Sequence, residues 1–376
     1  MKLVHFADVH LGYRAYNRVT SQGINMREAD VFQTFRAALA KTLDIAPDIV
    51  VIAGDLFHSV RPSNLCLQHT FREFMKFRAE TGAPVVIIGG NHDSPRSAET
   101  GCVLEILTNI PEVYVIHNEY ARLDLPQATV FGLCHRALAG LSSLKVEPDA
   151  SAKHNILAVH GTLEGIDRNF YDSTMISPSQ VMRDDWDYVA FGHYHVHTKL
   201  ADNAYYSGAT DYTSFNIWSE TDTPKGIVEY DPDNRKAAFH ALPTREVIDL
   251  RAIEAAGMSA SDVNNLVISR VEGIGSGLEG KIVRLVVNDI PRALQADLDF
   301  DLVRSFKQEA LHFDLQLRAP KAGGSRSENS GDRRPLSLEE EWREFVKLRE
   351  TPKDVDKDKL LEIGLEYLGR EEQRSG

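Results

Sequence analysis

The chain has 376 residues, 43% hydrophobic and 26% charged, which is typical of a soluble globular protein with two or more domains. Its formal net charge of −13 disfavours non-specific attraction of the whole chain to nucleic acid or anionic lipid, so any polyanion site must be a local exception. Because the chain has no apolar run of membrane-span length, no signal-peptide pattern at its start and three cysteines without a CxxC motif, we expect a cytoplasmic protein without membrane association.

The first part of the chain alternates continuous apolar runs with helical periodicity. The runs are "KLVHFA", "DIVVIAGD" and "PVVIIGGNHD", and helices containing Phe35 and Phe71 separate them. This alternation predicts βαβ units and a sheet buried on both faces. From about residue 113 to 241 the elements become shorter and richer in strands, so we expect a mixed sheet or a second sheet packed on the first.

In the last third of the chain, the pattern of predicted elements and the composition change twice. A smaller β-α-β-α-β pattern predicts an accessory domain, and a Gly- and Ser-rich charged stretch then predicts a linker. Two short amphipathic helices follow. The predicted boundaries are a main domain at 1–243, an accessory domain at 244–319, a linker at 320–335 and a helical segment at 336–376.

Five apolar strands of the main domain each end in polar side chains that can bind a metal ion. Ligands collect at the carboxyl ends of strands in α/β sheets, so these five ends can converge. In both Asp8-x-His10 and His193-x-His195, the spacing of two places both side chains on one side of an extended segment. The candidate metal ligands are Asp8, His10, Asp55, Asn91, His160, His193 and His195.

The types of ligand narrow the choice of metal. Imidazole, carboxylate and amide oxygen, without thiolate, suit manganese, iron or zinc. Seven candidates fit two ions better than one, with Asp55 as a bridge, and two such ions suit displacement at a phosphodiester. His92 need not bind metal, because an imidazole oriented by the neighbouring Asp93 can act as an acid or as a cation at the transition state. A single motif of this kind would be an ordinary turn, but five strand ends with ligand-type residues in one chain indicate a metal site.

At this point the sequence resembles a known family. The motifs "DVH", "GD", "GNHD", "VHG" and "GHYH", in that order, are similar to those of calcineurin-type metallophosphoesterases over about residues 1–241. Within that family, "FADVHLGYR" and "GDLFH" resemble the SbcD-type nuclease subunit of DNA double-strand-break repair. The resemblance implies an α/β fold with a two-sheet sandwich flanked by helices, a small α/β capping domain and a C-terminal helical tail.

The resemblance also implies roles for the site residues. One divalent ion, most often Mn²⁺ in nucleases, would be held by Asp8, His10, Asp55 and His195. A second would be held by Asp55, Asn91, His160 and His193. His92 would be the catalytic histidine, Asp93 its orienting partner, and His58 would lie at the substrate phosphate.

Basic and aromatic residues near the strand ends are candidates for binding a DNA backbone, because arginine binds phosphate bidentately. Any one of them could instead solvate a loop. The candidates are Arg14, Tyr16, Arg61 and Arg96, with Arg18 close by. Other isolated histidines are interpreted as hydrogen-bonded surface or turn residues: His5, His117, His135 and His154.

Three functions compete. The first is a metal-dependent DNA exonuclease or endonuclease in double-strand-break repair, associated with the nucleoid and partnered by an SbcC-type coiled-coil ATPase. The second is a small-molecule phosphoesterase or nucleotide phosphodiesterase, for which the extra domain and tail have no evident use. The third is a non-catalytic scaffold, which the complete ligand set disfavours. The tail is expected to bind the ATPase through Trp342 and Phe345, unless it folds back on its own chain, and a homodimer is compatible with the sequence.

Overall fold

The structure is a computed structural model, and it describes residues 1–95, 97, 100–166, 175–320, 342–343, 346–347 and 356–365. The chain divides into two compact units, Met1–Pro320 and Lys321–Gly376. The first unit contains 17 strands and six α-helices among its described residues.

The strands follow one another from the N-terminus in this order. They are β1 (Leu3–Phe6), β2 (Ile49–Ile52), β3 (Val85–Ile88), β4 (Val113–Ile116), β5 (Ala121–Asp124), β6 (Thr129–Leu133), β7 (Asn155–His160), β8 (Thr162–Leu163), β9 (Met175–Ile176), β10 (Tyr188–Gly192), β11 (Thr198–Ala201), β12 (Ala204–Tyr206), β13 (Gly226–Asp231), β14 (Lys236–Ala241), β15 (Val247–Glu254), β16 (Ile282–Asn288) and β17 (His312–Leu317).

The helices connect these strands. They are α1 (Met26–Ile45), α2 (Asn64–Glu80), α3 (Pro178–Val181), α4 (Ala260–Glu272), α5 (Arg292–Gln295) and α6 (Phe300–Glu309), with 3₁₀ segments at Val103–Asn109, His135–Ser143 and Ile217–Glu220. The side chain of Asn25 caps the first amide groups of α1, and Ser63 does the same for α2.

The first sheet has six strands in the order β14-β13-β1-β2-β3-β4. β1 to β4 are parallel, so their carboxyl ends share one edge, whereas β13 runs antiparallel to β1 and β14 antiparallel to β13. One face is covered by α1 and α2, which bury Phe35 and Phe74 there. The apolar runs of the sequence are therefore buried on both sides, as predicted.

A second six-stranded sheet, in the order β11-β12-β10-β7-β6-β5, packs on the other face of the first. One core cluster contains Val51 and Val86 from the first sheet together with Val130, Leu157 and Phe191 from the second. β6, β7, β10 and β12 are parallel. The predicted fold class, a two-sheet sandwich flanked by helices, is confirmed.

A third sheet of three parallel strands, β15-β16-β17, carries α4 and α6 and has its own core around Val267, Leu285 and Phe313. Its parallel strands and intervening helices follow the β-α-β-α-β pattern of the sequence. It meets the sandwich at a smaller apolar cluster that includes Tyr212 and Leu311. A half-buried ion pair also spans this junction: Arg245 donates to the two carboxylate oxygens of Asp30 in α1 through two nitrogens, at 2.6 Å each.

The second unit is described only in part. Residues 357–365 are helical, and the indole N–H of Trp342 donates to the carbonyl of Leu361 at 3.2 Å. Trp342 also lies so close to Gly364 that a Cβ there would be 2.2 Å from its Nε1 atom. Trp342 therefore makes contacts within the tail itself, and its expected role as an aromatic anchor for a partner stays a prediction. Phe345 lies outside the described residues. No helix in the described part of the chain combines the length and apolarity that crossing a membrane requires.

Candidate metal centre

The structure brings the seven predicted ligands together at the carboxyl edges of the two large sheets. Asp8 and His10 follow β1, Asp55 follows β2 and Asn91 follows β3. His160 is the last residue of β7, and the pair His193 and His195 follows β10, the parallel neighbour of β7. The convergence is a consequence of parallel pairing within each sheet and of the face-to-face packing of the sheets.

The first group of candidate ligands is Asp8, His10 and His195, whose donor atoms lie within 4.8 Å of one another. The two Nε2 atoms of His10 and His195 are 3.1 Å apart. Two ligand atoms at about 2.1 Å from one ion, and at about a right angle, lie about 3 Å apart, so this separation fits a shared ion. The carboxylate of Asp8 is oriented by the backbone N–H of His193 at 2.9 Å.

The second group is Asp55, His160 and His193, with Asn91 between the two imidazoles. The Oδ1 atom of Asn91 lies 3.0 Å from His160 Nε2 and 3.0 Å from His193 Nδ1. On its other side, His160 donates from Nδ1 to the carbonyl of Ala53 at 2.8 Å. Such a bond to the far nitrogen orients a ligating imidazole and directs Nε2 to the ion.

Asp55 lies between the two groups. Its Oδ2 atom is 3.8 Å from His10 Nε2 in the first group and 3.4 Å from His160 Nε2 in the second. Its other oxygen, Oδ1, accepts the backbone N–H of His92 at 2.8 Å. This central position fits the bridging role that the sequence suggested.

Four of the candidate ligands have a backbone that L-residues rarely adopt. The φ angles of Asp8, His10 and Asp55 are 53°, 53° and 51°, and that of His193 is 96°. Gly90 supplies the close approach that Asp55 needs, because a Cβ at Gly90 would lie 2.0 Å from the carboxylate Oδ1. Backbone of this kind clusters at functional sites.

The charge states of the buried groups fit a site that takes up cations. Burial raises the pKa of Asp8 to about 7. Burial opposes protonation of His160, but the adjacent Asp55 carboxylate outweighs it and raises the pKa to about 9. A bound cation would therefore displace protons from this site. Imidazole, carboxylate and amide donors without a thiolate among the described groups fit manganese, iron or zinc.

His92 and His58 form a stacked pair beside the first group. Their ring centroids are 5.2 Å apart, and His92 lies edge-on to His10 at 4.8 Å. The Nδ1 atom of His92 donates to the backbone carbonyl of His58 at 2.8 Å. Because Nδ1 is engaged in this bond, Nε2 is the atom of His92 that can exchange a proton.

Asp93 differs from its expected role as the residue that orients His92. It is fully buried, and its carboxylate accepts the backbone N–H groups of Phe57 at 2.9 Å, Leu56 at 3.1 Å and Gly90 at 3.2 Å. Asp93 therefore ties the loop after β3 to the loop after β2. The carbonyl of His58 orients His92 instead.

The candidate DNA-binding residues lie in different surroundings. Arg14 is exposed, and its Nε donates to Glu28 at 2.7 Å. Arg61 is exposed beside Thr100. These two stay candidates, whereas Arg96 lies outside the described residues.

Tyr16 has one ring face covered by another aromatic side chain. It stacks on His312 of β17 with a centroid distance of 3.9 Å and an interplanar angle of 17°. The neighbouring Arg18 donates to the Gln308 and Ala310 carbonyls at the end of α6. The loop that begins at His10 is therefore attached to the third sheet, and Tyr16 lies at this junction; its role as a DNA contact stays a prediction.

Sequence reasoning missed His135. It was interpreted as a surface or turn residue, but its half-buried ring lies 6.3 Å from that of His160 and 6.4 Å from that of His193. The available signal was its position just after β6, the parallel neighbour of β7. A sixth strand end therefore faces the same edge.

Comparison with known proteins agrees with this geometry. Residues 1–197 match the family described as calcineurin-like phosphoesterase. The DNA double-strand break repair protein Mre11 of Thermoplasma acidophilum is 26% identical over 287 residues, which cover 73% of this chain and 72% of that protein. The SbcD subunit of the nuclease SbcCD of Staphylococcus saprophyticus is 26% identical over 279 residues, covering 68% and 72% of the two chains.

Higher identity is confined to a shorter stretch. The DNA double-strand break repair protein Mre11 of Methanococcus maripaludis is 36% identical over 110 residues, and this match spans 29% of the chain and only 28% of that relative. All seven candidate ligands lie within residues 1–197, which form more than half of the chain and match one family throughout. The chain belongs to the calcineurin-like phosphoesterase family.

Proposed function

We propose that this protein is a metal-dependent DNA nuclease that hydrolyses phosphodiester bonds during the processing of DNA ends. The observation that carries the proposal is the position of Asp55 between two groups of ligand-type side chains. The names of two relatives, a double-strand break repair protein and a nuclease subunit, support DNA as the substrate. Manganese is the proposed metal.

The chain's own residues define the roles. Asp8, His10, Asp55 and His195 would hold one divalent ion, and Asp55, Asn91, His160 and His193 the other. When bound, two such ions neutralise phosphate charge and activate water for in-line attack. His92 would pass a proton from Nε2 to the leaving oxygen, while its Nδ1 stays bonded to the His58 carbonyl. His58 would bind the phosphate beside it, and exposed Arg14 and Arg61 would bind neighbouring phosphates.

We further propose that the protein acts in the cytoplasm at the nucleoid, as one component of a complex with an SbcC-type ATPase. The relative that is itself one part of the SbcCD nuclease supports an assembly of this kind. Residues 321–376 form a compact unit of their own, which suits a segment that binds a partner. Its own helix contacts, made through Trp342, would preform the binding surface.

The test is cleavage of labelled linear duplex DNA by the purified full-length chain. Reactions contain manganese, magnesium or chelator, and each is repeated with bis(p-nitrophenyl) phosphate and with nucleotides. Asp55→Asn removes the negative charge at the proposed bridge. His240→Asn, on β14, is the control for a substitution outside the site. We expect manganese-dependent DNA cleavage that Asp55→Asn abolishes and His240→Asn preserves.

Two results would contradict the proposal. DNA cleavage that survives in Asp55→Asn would place the activity outside this site. Hydrolysis of nucleotides without any cleavage of DNA would favour a small-molecule phosphoesterase on the same fold.

A further inference from the structure

A desolvated lysine lies directly behind the first group of candidate ligands. The side chain of Lys225, which immediately precedes β13, is 1% exposed, and its partner Glu220 is 7% exposed. Removing two charges from water is costly, and apolar side chains of similar volume often stabilise a core at least as well as a buried ion pair does. A buried pair of this kind therefore calls for an explanation beyond packing.

The ammonium group of Lys225 is surrounded by three partners. It donates to Glu220 Oε2 at 2.5 Å and to the backbone carbonyl of His195 at 2.8 Å. It also lies 4.9 Å from the centre of the Tyr212 ring, within the range of a cation–π contact. An ammonium has three N–H donors, so these contacts fix its position.

The contact with His195 matters because this residue has no strand to hold it. His195 lies between the end of β10 and the start of β11. Its carbonyl accepts two hydrogen bonds, from Lys225 and from the backbone N–H of Ala209 at 3.1 Å. Among the described hydrogen bonds, those of Lys225 reach the first group of ligands and none reaches Asn91, His160 or His193 of the second.

We propose that Lys225, held in place by Glu220, is a positioning residue that fixes the backbone of His195 and so places its imidazole for the first ion. The inference rests on the two-ion site proposed above. Residues that orient metal ligands typically contribute about 10- to 100-fold in metal affinity. The effect of losing Lys225 should therefore fall on one ion and spare the other.

The experiment measures manganese binding by the full chain after removal of metal with chelator. Lys225→Met combined with Glu220→Gln removes both charges, so that no buried charge is left unpaired. The control is Lys281→Met combined with Glu246→Gln, because Lys281 is also buried and lies 3.3 Å from the more exposed carboxylate of Glu246, next to the third sheet and outside the candidate metal centre. Titration calorimetry gives the two affinities, and electron paramagnetic resonance distinguishes a coupled ion pair from an isolated ion.

We expect the Lys225 double variant to bind one manganese about 10- to 100-fold more weakly and the other as in the wild type. At two equivalents of manganese, and at a protein concentration between its two dissociation constants, the spectrum of the double variant should be dominated by an isolated ion, whereas the control shows the coupled spectrum.

Three outcomes overturn the inference. Wild-type affinities for both ions in the double variant would show that the bond has no role in placing His195. Equal weakening of both ions in the double variant would mean that the charge of the pair acts rather than the contact with His195. Failure of the wild type to bind two ions would instead overturn the two-ion site itself, and this inference with it.

Discussion

The Nδ1 atom of His5 lies 3.0 Å from the hydroxyl group of Tyr188, so a hydrogen bond joins the two large sheets across their shared core. His5 belongs to β1 in the first sheet and Tyr188 to β10 in the second. Both residues are fully buried. His5 is therefore a core residue and not the surface or turn residue that the sequence suggested.

This burial makes the stability of the protein depend on pH. Burial lowers the pKa of His5 from 6.5 to about 3, so the unfolded chain binds a proton between these values and the folded chain does not. Stability should fall as pH falls from about 6.5 towards 3, by up to about 1.4 kcal/mol per pH unit from this residue. His5→Asn, which keeps a polar atom near Tyr188, should reduce that slope. Urea unfolding with chelator at several pH values measures it; an unchanged slope would mean that His5 is not the source.

His92→Ala should separate chemistry from metal binding. The imidazole of His92 bonds to the His58 carbonyl, and the contact of His92 with Asp55 is made by its backbone N–H, which alanine retains. We expect two bound manganese ions and a loss of about 10²- to 10⁴-fold in cleavage rate. Mass spectrometry of metal content, beside the nuclease rate, decides the outcome. Loss of both ions would identify His92 as a ligand.

Asp55→Ala should be more damaging to metal binding than Asp8→Ala. The carboxylate of Asp55 faces both groups of ligands, whereas Asp8 belongs to one. At manganese concentrations that saturate the wild type, Asp55→Ala should lose both ions and Asp8→Ala should keep one. Equilibrium dialysis gives the stoichiometry. If Asp55→Ala still bound two equivalents with near-native affinity, Asp55 would not be a bridge.

Asp93→Ala should destabilise the fold even in the absence of metal. Three buried backbone N–H groups, those of Leu56, Phe57 and Gly90, would lose their acceptor, and the expected cost is at least about 2 kcal/mol. Urea unfolding in chelator is the measurement, with Asp93→Asn, which keeps one acceptor oxygen, as the milder control. A variant of normal stability with slow cleavage would instead support the catalytic role suggested by the sequence.

Truncation after residue 320 should abolish binding of the ATPase partner and preserve nuclease activity. Because residues 1–320 form a compact unit of their own, the shortened chain should fold and cleave short duplex DNA with manganese. It should no longer co-purify with a co-expressed SbcC-type ATPase. Undiminished complex formation would place the partner surface in the first unit, and loss of folding would show that the tail supports its own chain.

The sequence predicted the layout of the site because its signal is local. Each apolar run ended in a ligand-type side chain, and parallel strands bring such ends to one edge, so Asp8 could be grouped with Asp55 from the sequence alone. Their meeting with His160 depends on the packing of the second sheet on the first. The role of Asp93 as an acceptor for backbone amides could not be predicted from such a local signal. Its sequence neighbour is His92, but its partners are amides of the loop after β2, which only the pairing of β2 with β3 brings near.

Contacts between segments that are distant in the sequence could not be predicted either. Nothing local in Tyr16 indicates that it stacks on His312, almost 300 positions further along the chain. His135 follows a strand as the predicted ligands do, but a single histidine after a strand is usually structural. Only the adjacency of β6 and β7 in the second sheet distinguishes it.

The left-handed backbone at Asp8, His10, Asp55 and His193 limits which substitutions the protein can accept at these positions without losing function. Glycine would adopt these angles without steric strain, while each of the present side chains costs about 1 kcal/mol or more. Glycine substitutions there would relieve strain but leave the ions without ligands. Selection for thermostability alone would thus work against the metal centre, and efforts to engineer a more robust enzyme should leave these four positions untouched.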